Sequence, residues 1–130
     1  MAPIGASGEE TNLIKSYILN TIILDIFKRD SIAIEQAVKT PTPYLKVINT
    51  AMDKITKKMY EIRREFRLRG IKVFEIERTK EGISVEYICR GYTSRFSMLW
   101  SLVKAESHIR MCAYMGLDIS SYIKDEKPSI

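Results

Sequence analysis

Between Tyr44 and Phe66, apolar side chains recur at intervals that fit an α-helix and no strand. Tyr44, Ile48, Ala51, Ile55, Met59, Ile62 and Phe66 follow one another three or four residues apart, which places them in one stripe on a helix. Thr42 is the expected N-cap, with Pro43 at the favoured first helical position. Gly70 stands where a left-handed residue would end the rod. A helix of about 26 residues runs roughly 39 Å at 1.5 Å per residue. It buries only one ridge, so the rest of the chain has to pack against that ridge.

The flanking segments supply the packing. A first helix is expected from Glu9 to Arg29, with acids in its first turn and bases in its last, both complementing the helix dipole. Leu13, Ile14, Tyr17, Ile18, Ile22, Ile26 and Phe27 give it an apolar surface broad enough for a central core helix or a dimer interface. Asp30 or Ser31 is expected to cap a short second helix, Ile32 to Val38, ended by the prolines at 41 and 43. After Gly70 the period switches to two. Ile71–Arg78 and Ile83–Arg90 read as a β-hairpin around Thr79-Lys80-Glu81-Gly82, with Phe74, Ile76, Ile83, Val85, Tyr87 and Cys89 facing inward. Thr93 or Ser94 is then expected to cap a helix from Arg95 to Met115, stopped by Gly116.

The resulting expectation is an α+β, predominantly helical fold: three helices, a β-hairpin and a C-terminal helix packed on one long central helix. Three helices and then a hairpin is also the order of a winged-helix domain. The 130 residues fit one domain, expected at 9–123 between a flexible leader, 1–8, and a flexible tail, 124–130. Cys89 and Cys112 form no CxxC pair. The N-terminus has no basic n-region, and the most apolar run, Leu13–Phe27, is interrupted by Lys15, Asn20 and Asp25 and falls short of the ~20 residues a bilayer requires. A cytoplasmic protein with free thiols and no membrane contact is expected.

Charge is distributed unevenly. Nine bases and three acids lie between Lys46 and Lys72, a local +6 in a chain of net +5. Such a field attracts anions. Lys57, Tyr60, Arg63, Arg64, Arg67 and Arg69 are the candidate nucleic-acid contacts, the cations meeting phosphates and Tyr60 stacking or positioning. The same charges at i, i+4 spacing from acids also make an ordinary solvated helix surface. Signals for catalysis are weak. His108 is the one histidine, and no Gly-rich phosphate loop, nucleophile elbow or metalloprotease motif occurs. The expectation is a small non-catalytic DNA-binding or regulatory protein with no cofactor and no metal. The alternative is a protein–protein interaction module, an adaptor or inhibitor, using Ile18, Ile22, Ile26, Arg95 and Trp100, with homodimerisation through the first helix.

Overall fold

The computed structural model describes residues 6–120. Two long helices come first: α1 (Gly8–Ala37) and α2 (Thr42–Arg69). Three strands follow, β1 (Ile71–Arg78), β2 (Gly82–Cys89) and β3 (Tyr92–Leu99), and then α3 (Trp100–Tyr114). The strands form an antiparallel meander in the order β1-β2-β3. The class is α+β and mostly helical. The expected leader lies largely outside the described residues, and the expected tail lies wholly outside them.

Helix α1 begins with a capping box. Ser7 Oγ accepts from the Glu10 amide at 3.1 Å, and the Glu10 carboxylate accepts from the Ser7 amide at 3.1 Å. The helix then runs unbroken through Asp30 and Ser31, so the separate helix Ile32–Val38 does not form. Asp and Ser favour caps, but no glycine or proline lies between Arg29 and Val38 to release the backbone from its helical hydrogen bonds. The break comes at Val38, which is extended, followed by Pro41. Without that third helix, the order of a winged-helix domain is absent.

The ridge of α2 is buried as its spacing requires: Ile48, Ala51, Ile55, Met59, Ile62 and Phe66 all face the core, whereas Tyr44 is exposed. Gly70 closes the helix at φ 68°. Thr42 is no cap, because Pro41 is already in the right-handed helical region and no side-chain cap bond forms. Among the described residues two helices are long, and α1 is the more deeply covered. Ile14, Ile18, Leu19, Ile23 and Phe27 sit at the centre of the core, with α2 and α3 packed against α1.

In the sheet, Ile83, Val85, Tyr87 and Cys89 of β2 face inward and are buried. The register of β1 slips between Val73 and Ile76, and such a bulge resets the in–out alternation. Ile71, Val73 and Ile76 therefore join the core. Phe74, expected inside, is instead exposed, with the Lys72 ammonium 5.3 Å from its ring centre.

The largest departure from expectation is β3. Tyr92–Leu99 pairs along its whole length with β2, from Cys89↔Tyr92 to Gly82↔Leu99, where the start of a helix was expected at Arg95. Arg90 and Gly91 form a two-residue turn with φ 49° and 87°. Two positive φ values match the right-handed twist of a hairpin, so the turn directs the chain back along β2. Only after Leu99 does the helix begin. Trp100 anchors its start, with its amide donating to Glu81 O at 3.0 Å and its indole Nε1 to Thr79 O at 2.7 Å.

Candidate nucleic-acid interface

Burying the Ile48–Phe66 ridge turns the opposite side of α2 outward. Lys57, Tyr60, Arg63, Arg64 and Arg67 are all exposed, Tyr60 to 67%. Lys57, Arg64 and Arg67 form no ion pair among the described residues. Arg63 stands with its guanidinium carbon 5.9 Å from the Tyr17 ring centre, over α1, so its charge is partly occupied. Lys58, beside them, is held only loosely by Glu61 at 3.9 Å. Lys46 to Arg67 covers about 32 Å of helix at 1.5 Å per residue.

Arg69 belongs to a different structure. Its guanidinium pairs with Glu9 at 3.0 Å, Glu65 at 3.2 Å and Glu10 at 3.7 Å. It is neutralised internally and leaves the set of phosphate contacts. Arg69 sits at the C-terminus of α2, where α1 begins, and its three carboxylates hold it there.

Glu10 is the centre of that cluster and was not singled out by the sequence reading beyond its dipole role. It is 5% exposed. Two nitrogens of Arg90 donate to its oxygens at 2.8 and 2.9 Å. The Arg90 bonds and the Ser7 amide hold the Glu10 carboxyl at about 2, well under its ordinary 4.5, against the opposing effect of burial. The same contacts raise Arg90 further above its usual range. Arg90 also donates to Arg69 O at 3.1 Å. Cys89, fully buried, lies with Sγ 3.8 Å from Glu10 Oε1, and burial pushes its thiol upward. A thiol held in its protonated form is a poor nucleophile. The chain's two cysteines are free. The cluster joins α1, the end of α2 and the β2–β3 turn, and its chemistry is structural.

Residues proposed as an apolar interface are placed unevenly. Ile18 and Ile22 are core residues, at 0% and 5% exposure, covered by this chain's own elements. A helix apolar most of the way round is satisfied here from within one chain, which removes both from any monomer surface. Ile26 and Trp100 are half-buried and line a cleft of about 270 Å³ with Val103, Lys104 and His108. Arg95 is exposed on the outer side of the sheet, 3.5 Å from Glu77, 3.7 Å from Glu86 and 3.0 Å from Ser84 Oγ. It therefore bridges carboxylates of β1 and β2 across the outer side of the sheet. His108 is exposed, and among the described residues no group of three His, Cys, Asp or Glu could hold a metal ion. No described helix is long and apolar enough to cross a membrane.

Glu10 was findable in part: Ser7-Gly8-Glu9-Glu10 is a capping-box pattern. Its partner Arg90 lies 80 residues away, and no local signal links the two. The chain resembles no curated protein and no solved structure at a significant level. A family model described as YhjD protein matches residues 6–119, nearly the whole described fold, and the chain belongs to that family.

Proposed function

We propose that this protein is a small non-catalytic nucleic-acid-binding or regulatory protein that meets phosphate backbones with the outer row of α2. One observation carries the reading: Lys57, Arg64 and Arg67 point into solvent with no carboxylate paired to them among the described residues, and Tyr60 stands between them. Unneutralised cations along one rigid helix can each displace a counterion from a polyanion. Arg63 sits at the flank of the row, and Arg69 is excluded by its three acids. On the sheet, Arg95 is already engaged by Glu77 and Glu86, so the unpaired cations of α2 make the approach.

The test is a duplex gel shift with a salt series. The wild-type chain is expected to bind at low salt and to weaken steeply as salt rises. Changing Lys57, Arg64 and Arg67 together to Glu is expected to abolish the shift, with the circular dichroism spectrum unchanged because all three are solvent-facing. Changing them to Gln is expected to reduce the log–log salt slope by about one per residue. Absence of any shift at low salt, or a shift indifferent to the triple substitution, ends this reading.

A further inference from the structure

The two edges of the sheet are built differently. On β1 the register slips at Val73/Ile76, and Lys72, Glu75, Glu77 and Arg78 line the strand. A bulge and charges are the usual protection against pairing with another chain. On β3 the pairing to β2 is regular over all eight residues, with no bulge, proline or lysine. Its one charge, Arg95, is engaged with Glu77 and Glu86 of its own sheet.

The direction of the free groups on β3 is fixed by its turn. Trp100 N–H bonds to Glu81 O, so by alternation the even-numbered residues bond to β2. The amides of Thr93, Arg95, Ser97 and Leu99 and the carbonyls of Thr93, Arg95 and Ser97 point away from the sheet, whereas Leu99, the N-cap of α3, turns its carbonyl to the first intrahelical bond. Among the described residues no hydrogen bond reaches these outward groups. The strand's side chains are also under-covered: Tyr92 is 54% exposed, Leu99 is 63% exposed, and Phe96 is half-buried.

We infer that β3 is a self-pairing edge: two copies of this chain join β3 to β3, antiparallel about a two-fold axis on Phe96, into one six-stranded sheet. A two-fold pairing has to keep inner side chains opposite inner ones, because a slip of one residue exchanges the faces. Two centred registers satisfy this best. Centring on Arg95 sets that guanidinium opposite itself, which is destabilising. Centring on Phe96 sets Arg95 opposite Ser97, Thr93 opposite Leu99 and Ser94 opposite Met98, with the two Phe96 rings as an aromatic cross-strand pair. The outward amides and carbonyls of Arg95 and Ser97 then find partners, as do the Leu99 amide and the Thr93 carbonyl, and the half-covered inner strip becomes continuous core. The inference is independent of the α2 reading.

Ser97 tests both the dimer and its register. In the monomer its side chain faces solvent; in the dimer it faces Arg95 of the second copy. Sedimentation of the full chain is expected to show a dimer at tens of micromolar. Ser97→Lys is expected to weaken it several-fold and Ser97→Glu to tighten it several-fold. Ser97→Pro, which removes an outward amide and one exposed hydroxyl bond to Ser84 Oγ, is expected to give a folded monomer. A wild-type chain that stays monomeric at hundreds of micromolar overturns the inference. So does a dimer that Lys and Glu at 97 shift in the same direction, or that neither shifts. Should the proline variant unfold, the Lys/Glu pair decides alone.

Discussion

Gly82→Ala is expected to cost about 3 kcal/mol of stability and to loosen the β2–β3 half of the sheet, at the upper end for overpacking. A Cβ at this position would overlap the Met98 carbonyl oxygen and lie 2.8 Å from its carbon and 2.9 Å from Leu99 Cα. These are backbone atoms of the neighbouring strand, so no rotamer change relieves the clash, and β3 has to move away. Because Trp100 follows immediately, such a movement also disturbs the indole bond to Thr79 and the start of α3. Urea unfolding measures the loss. Gly8→Ala is the matched control, since a Cβ there meets nothing within 4 Å, and its midpoint is expected to stay within about 0.5 kcal/mol of wild type. A Gly82→Ala protein as stable as that control would show that the close approach of the two strands is not present in solution.

Glu10→Ala is expected to cost about 2–3 kcal/mol, from a lost cap and a broken, largely buried ion pair. The half-exposed Arg90 guanidinium, which can turn to water, keeps the figure from being larger. Glu10→Gln separates the two contributions. Glutamine still serves a capping box, so this variant is expected to lose about half as much. The pH dependence has a definite sign. The folded carboxyl titrates at about 2 and an ordinary one at 4.5, so the folded state binds fewer protons than the unfolded state between those values. The stabilisation is complete above about pH 4.5 and is lost as pH falls towards about 2. The difference in stability between wild type and Glu10→Gln, followed by denaturant unfolding across that window, is expected to shrink as acid is added. Parallel curves would mean that Arg90 and Ser7 do not hold the carboxylate as the distances imply.

Legibility in the sequence followed the range of the interaction that decides each element. The α2 ridge and Gly70 were readable because a 3.6-residue period and a left-handed terminator are local facts. The β1–β2 hairpin was readable for the same reason, except at Phe74, where a bulge reset the alternation that the period of two had assumed. The continuity of α1 was missed because Asp30 and Ser31 look like a cap, and nothing local says that the helix on both sides will outcompete them. The identity of β3 was missed for a subtler reason. Phe96, Leu99, Leu102 and Val103 have helical spacing and follow Thr93-Ser94, a plausible cap. The Arg90-Gly91 pair between two alternating runs was the opposing signal, and a hairpin turn of two residues outweighs a short helical pattern once β2 is available to pair with.

The candidate site divides in the same way. That Lys57, Tyr60, Arg64 and Arg67 are solvent-facing follows from helix geometry alone once the buried ridge is known. That Arg69, at the end of the same helix, is consumed by Glu9, Glu10 and Glu65 depends on where α1 starts in space, and two of those acids are some sixty residues away. Ile18 and Ile22 were ambiguous for the same reason: breadth of apolar surface says that a helix is covered and leaves open by what.

Several of the bonds that complete α1 come from the far end of the chain. Arg90 returns to Glu10, Arg110 donates to Ser16 at 3.0 Å, and Tyr114 donates to Asn20 at 3.2 Å across 94 positions. The first of the described helices to be synthesised is therefore the last to be finished. During synthesis α2 can shield one flank of α1 early, but the other flank waits, oily and open, until α3 has emerged. Nascent chains stalled before Trp100 should accordingly be the ones that chaperones hold, and release from them should coincide with the arrival of α3.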